Sequence, residues 1–132
     1  MFRLGEKMDK TKANGLNSVV LAFVGDAVYS LFVRERLTFL CDGKAGELNK
    51  LAVKEVKATA QAEFVQEILP FLTEEELAVF RRARNAKKTT RARSASVAEY
   101  NLSTGFEAVL GYLYLTGESE RLDYILNKGI TK

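Results

Sequence analysis

Two carboxylates in this chain stand without company. The only charged residue between Ala13 and Val33 is Asp26, and the only one between Tyr100 and Gly117 is Glu107. Acids so placed have no counterion at i±3 or i±4 on their own helices. An ionised carboxylate left buried and unpaired is costly. Three resolutions are open. An arginine or lysine from elsewhere can pair with each acid, an acid can point to water, or the two can share a bound cation. Oxygen-only ligation suits Mg²⁺ or Mn²⁺, and Mg²⁺ needs only one or two protein carboxylates because it keeps waters and takes substrate phosphates. The small residues nearby favour the cation. Gly25 precedes Asp26, while Gly105 and Gly111 flank Glu107. Each glycine weakens a helix by about 1 kcal/mol relative to alanine, a cost that close approach of another helix or of a ligand would offset.

The third chemical feature is positive. Seven basic residues and no acid lie between Arg81 and Arg93: Arg81, Arg82, Arg84, Lys87, Lys88, Arg91 and Arg93. A solvated loop is the plain reading of such a run. The missing acids, and the threonines and serines among the bases, point instead to a phosphate-rich partner. A divalent cation beside a cationic surface is what phosphodiester hydrolysis requires. The metal polarises a phosphoryl oxygen, lowers the pKa of bound water and stabilises the leaving oxygen. The chain has no histidine, which removes the commonest general base and the commonest transition-metal ligand. Such a mechanism needs neither.

These groups must be held by helices. The 132 residues suffice for one domain with one core, and 47% apolar with 28% charged residues is a globular composition. From Leu16 the apolar positions Val19, Val20, Phe23, Val24, Ala27, Leu31 and Phe32 follow the i, i+3, i+4, i+7 rhythm of a helix packed on a core. Asp26 lies at the edge of that arc, beside Ala22 and Tyr29. The loop CDGKAG, residues 41–46, ends the helix. Glu47 to about Leu69 reads as a second long helix, with Leu48, Leu51, Val56, Ala60, Phe64 and Val65 inward, and Pro70 closes it. Thr73 with Glu76 is a capping box opening a short helix through about Arg84, and Ser96 with Glu99 is another. Residues 85–96 lack apolar periodicity and read as a polar loop. Thr104 to Leu115 is helical, Gly117 breaks it, and Glu118 to about Asn127 forms a last helix. No stretch alternates as a strand does, so the expected class is all-α, one domain over residues 1–132. A lone cysteine, Cys41, excludes an internal disulfide. The charged N-terminus lacks the apolar stretch of a signal peptide, and no apolar run approaches the roughly 20 residues that span a bilayer. A cytoplasmic protein is expected.

At the level of motifs, FVGDAVYSLFVRERL resembles the signature helix of the ribonuclease III catalytic domain, whose core reads F-L-G-D-A-V. FEAVLGYLYL resembles that family's second acidic motif, E-A-L-I-G-A-x-Y-L. Within the family, GDAVYSLFVRE, TEEELAVFRRARNAKK and STGFEAVLGYLYLTGESERL look like the Mini-ribonuclease III group. The likeness runs from about Leu16 to Ile125. It implies the helical fold of that catalytic domain without a separate double-stranded-RNA-binding domain. It further implies a homodimeric endoribonuclease that uses Mg²⁺, with Mn²⁺ able to substitute, and cuts double-stranded RNA. Maturation of the ends of the 23S ribosomal RNA precursor is the implied task, with 5′-phosphate and 3′-hydroxyl products. Asp26 and Glu107 match the catalytic, metal-holding acids. Phe23 matches an aromatic that plugs into the partner subunit, although an ordinary core residue would look the same.

The chain departs from the larger enzymes at three acids: Ala22 and Thr104 stand at two of those positions, and Ala45 is nearest the third. The cation would have fewer direct protein ligands. Thr104, one turn from Glu107, could orient a metal-bound water, whereas Glu47 fits better as a solvated acid near a helix start. With no further domain to grip RNA, Arg84, Lys87, Lys88, Arg91 and Arg93 would contact phosphates and 2′-hydroxyls of an A-form duplex. Tyr112 and Tyr114 fit core or interface packing better than stacking on bases. Two rivals remain: a non-catalytic RNA-binding or ribosome-associated protein on the same scaffold, and a helical DNA-binding regulator. The first does not need the two acids, and the second lacks an evident recognition helix.

Overall fold

The computed structural model describes residues 6–87 and 96–130, and among these there are α-helices and one short 3₁₀ turn but no strand. In chain order the helices are α1 (Lys10–Asn14), α2 (Ser18–Leu40), α3 (Ala45–Val56), α4 (Ala58–Ile68), α5 (Glu74–Asn85), α6 (Val97–Leu115) and α7 (Ser119–Ile130), with the 3₁₀ turn Leu69–Phe71 carrying Pro70. The all-α expectation holds. α6 is the central element, packed on α2, α4, α5 and α7, and α3 lies against α2.

Local chemistry sets most of the boundaries. The Thr73 hydroxyl accepts a hydrogen bond from the Glu76 backbone N–H, and the Glu76 carboxylate accepts one from the Thr73 backbone N–H; Ser96 and Glu99 do the same at the start of α6. Both expected capping boxes are therefore formed, and the second sets α6 seven residues earlier than the apolar pattern alone suggests. Gly117, at φ 79°, takes the left-handed conformation that ends α6 and leads into α7. Glu76 is also buried, and Arg121 of α7 donates to both its oxygens at 2.7 and 2.8 Å, locking α7 to α5.

Two expectations are corrected. The long helix from Glu47 to Leu69 is broken at Lys57, whose backbone is extended, so α3 and α4 are separate elements. No glycine or proline marks the break. Instead the Gln61 side chain caps the open end of α3, its Nε2 donating to the Val56 carbonyl at 2.6 Å. Within these helices Phe64 and Val65 are buried as expected, while Leu51 is exposed.

The second correction concerns α2, which is apolar nearly all round. The positions buried are Leu21, Ala22, Gly25, Val28, Tyr29, Val33 and Leu37. Of the arc expected to face the core, Leu16, Val24 and Phe32 are half-buried, but Val19, Val20, Phe23, Ala27 and Leu31 are exposed. The reason is close packing. A methyl group on Gly25 would collide with the Glu107 carbonyl of α6, and one on Gly111 with the Leu21 carbonyl of α2. Only the glycine side of α2 admits α6 at that distance, so the bulkier apolar side is turned outward. Below the contact, Tyr29, Phe64 and Phe106 form a ring cluster with centroids 5.1 to 5.5 Å apart, tying α2, α4 and α6 together.

Candidate functional site

The glycine contact between α2 and α6 brings the two solitary acids together. Gly25 touches the backbone of Glu107, and Asp26 is the next residue. The Asp26 carboxyl lies close enough to Glu107 for its negative charge to act on it. Asp26 is exposed and Glu107 is half-buried. Desolvation first, then the nearby Asp26 carboxyl, push the Glu107 carboxyl up from 4.5 to about 8, while a hydrogen bond from Gln61 works in the other direction. That bond runs from Gln61 Nε2 to Glu107 Oε2 at 3.1 Å.

Among the described residues no arginine or lysine forms an ion pair with either acid; the pairs found are Lys10 with Glu75 and Glu118, Arg36 with Glu55, and Arg121 with Glu76. Of the three resolutions open to the sequence, neutralisation by a guanidinium or ammonium group is therefore not found among the described residues. The site is a pair of neighbouring carboxyl groups, and a divalent cation could compensate their negative charge. The described residues hold no cluster of three or more acidic, histidine or cysteine side chains, so a cation would meet two carboxylates and complete its shell with water and substrate oxygens. Such a donor set fits Mg²⁺.

Other residues singled out in the sequence fall as follows. Thr104 is buried, and its hydroxyl donates to the Tyr100 carbonyl one turn earlier at 2.9 Å. Ala22 is buried one turn before Asp26, and Glu47 is exposed in the first turn of α3. Arg84 lies in the last turn of α5 with its guanidinium 5.7 Å from the Phe80 ring, and Lys87 is exposed just beyond the helix. Phe80 in turn packs on Gly105, which anchors α5 to α6 two residues from Glu107. Lys88, Arg91 and Arg93 lie outside the described residues. Tyr112 is buried and donates to Glu75, consistent with packing. Phe23 is 79% exposed and lines a groove of about 370 Å³ with Val24, Asp26, Ala27, Leu31 and Tyr114.

Gln61 is the site residue that sequence reasoning missed. It is 2% exposed. The signal was present, because Gln61 falls three and four residues before Phe64 and Val65, so it is a polar side chain on a buried stripe.

Comparison with known proteins adds an independent line. Residues 19–118 match the model of the ribonuclease III domain. A Clostridium tetani protein named Mini-ribonuclease 3 is 45% identical, the match covering 95% of this chain and 83% of that protein. Another Mini-ribonuclease 3, from Thermoanaerobacter, is 46% identical over 95% of this chain and 88% of its own. A crystal structure of a Fusobacterium nucleatum protein superposes with a TM-score of 0.77 at 33% identity, covering 86% of this chain and 90% of that one.

Proposed function

The chain belongs to the ribonuclease III family, within its Mini-ribonuclease III group, and from that premise we propose that it is a Mg²⁺-dependent endoribonuclease specific for double-stranded RNA. The observation that carries this reading is the pairing of Asp26, which lines a surface groove, with the half-buried Glu107 beside it. Two acids held this close repel one another unless positive charge lies between them, and the family's chemistry supplies that charge as a divalent cation, Mg²⁺ or Mn²⁺. When bound, the cation activates water and stabilises charge on the scissile phosphate. The protein's part is positional. The backbone contact at Gly25 fixes the separation of the acids, and burial of Glu107 keeps bulk water from screening it. Asp26, being exposed, is the acid that substrate oxygens reach first.

The rest of the reading concerns the duplex. The basic run that includes Arg84, Lys87, Lys88, Arg91 and Arg93 binds its phosphates, recognising A-form shape more than sequence. A homodimer presents two equivalent sites to the two strands. The outward apolar row of Val19, Val20, Phe23, Ala27 and Leu31 supports that assembly, since large apolar side chains gathered on one helix face mark an interaction surface. Phe23 would sit at its centre. The substrate is the precursor of the 23S ribosomal RNA, processed in the cytoplasm to ends with 5′-phosphates and 3′-hydroxyls. No helix among the described residues is long and apolar enough to cross a membrane.

The deciding experiment incubates the protein with a long RNA duplex, with Mg²⁺ or with chelator, and follows both strands. Cutting of both strands that disappears with chelator, and with Asp26→Asn while RNA is still retained, is the expected result. Retention without cutting would identify an RNA-binding protein instead. An Asp26→Asn variant that cuts at the wild-type rate would remove Asp26 from the mechanism.

A further inference from the structure

Gln61 is a buried amide with an unusual division of labour. Its Nε2 donates to the Val56 carbonyl at 2.6 Å and to Glu107 Oε2 at 3.1 Å, so both amide hydrogens are committed. The Val56 carbonyl can only accept, which fixes the orientation of the amide and makes the group facing Glu107 the nitrogen. Oε1 is buried and has no hydrogen-bond partner among the described residues. A buried acceptor left unsatisfied costs about 1–3 kcal/mol. An end-cap for α3 alone would need one donor and could leave the carbonyl out of the interior. This side chain reaches instead from the α3–α4 break to the Glu107 carboxylate on α6, to which it donates a hydrogen bond.

We propose that Gln61 is a positioning residue for the carboxylate pair: it holds Glu107 turned toward Asp26, and its buried Oε1 accepts a hydrogen bond from water carried in by a divalent cation. This rests on the reading of Asp26 and Glu107 as a cation site. A neutral amide suits the task. It constrains an acid without adding a third negative charge, and it couples the site to the end of α3, so a shift of that helix end is felt by Glu107. Groups of this kind orient metal ligands in many proteins, and their loss typically weakens metal binding or activity about 10–100-fold.

The test uses Gln61→Met, which keeps length and volume and removes both the donor and the acceptor. Mn²⁺ binding to the RNA-free protein is followed by electron paramagnetic resonance, and duplex cleavage is measured in parallel. The expected result is Mn²⁺ affinity lowered about tenfold or more, kcat lowered by a similar factor and KM for the duplex within about twofold. Wild-type affinity for Mn²⁺ in Gln61→Met would overturn the proposal, whatever happened to stability. A second measurement needs no variant. In the wild-type protein the Gln61 side-chain amide resonances should exchange slowly and shift on addition of Mg²⁺, and amide signals unmoved at saturating Mg²⁺ would overturn the proposal even if Gln61→Met failed to fold. Failure of the underlying reading looks different: the wild-type protein itself would bind no Mn²⁺, or would cut the duplex in the presence of chelator.

Discussion

Glu107→Gln, examined without metal, tests whether the two acids are forced together. Glutamine is close in shape to the protonated acid, so the variant resembles the state the protein adopts when Glu107 holds its proton. In the folded protein that proton is released at about 8, against an ordinary 4.5. Between those values the folded state keeps a proton that the unfolded chain has lost. Stability is thus fully present below about pH 4.5 and declines as pH rises toward about 8. At about 1.4 kcal/mol for each pH unit of that interval the loss has a ceiling of about 5 kcal/mol. Relaxation of solvent around the half-buried carboxyl reduces this to an expected loss of about 2 kcal/mol. Urea denaturation with chelator present should find Glu107→Gln within about 0.5 kcal/mol of wild type near pH 5, and more stable by about 2 kcal/mol near pH 8. Added Mg²⁺ should stabilise wild type at the higher pH and leave the variant unchanged. An equal effect of the substitution at both pH values, or a variant less stable than wild type near pH 8, would refute the argument that Asp26 and burial act together on Glu107.

Gly25→Ala places a methyl group where the Glu107 carbonyl now sits; stability should fall by about 3 kcal/mol or more, read from the urea midpoint, and cleavage should fall with it because the acids are separated. Phe23→Asp alters a side chain that is already exposed, so circular dichroism should be unchanged while sedimentation shows the dimer lost. Replacing Lys87, Arg91 and Arg93 together with glutamine should weaken duplex binding and flatten its salt dependence, the logarithmic slope falling by about 0.9 for each phosphate contact removed; an unchanged slope would put the RNA elsewhere on the surface.

Some of this was legible in residue order because the physics is local. Reciprocal capping needs only a serine or threonine and a glutamate three residues apart, and both boxes formed as read. Gly117 ended α6 because a left-handed residue there favours glycine. The isolation of Asp26 and Glu107 was plain from sequence, as was the significance of the glycines beside them. The break at Lys57 was not, since no residue at that point forbids a helix and the stabilising group, Gln61, acts from four positions downstream. The facing of α2 was misread for a related reason. When a helix is apolar on every side, periodicity alone cannot say which side is buried, and the decision passes to the neighbour that packs closest.

Residue order by itself determined that this chain is helical, that two acids lack local counterions and that a run of bases lacks acids, because each of these is a property of nearest neighbours along the chain. The tertiary structure decided that the acids meet, that Gln61 completes their setting, and that Phe23 faces outward. Those outcomes depend on which helix surfaces can approach within backbone contact, and that is settled by the shape of two helices together, at Gly25 and Gly111, rather than by the composition of either one.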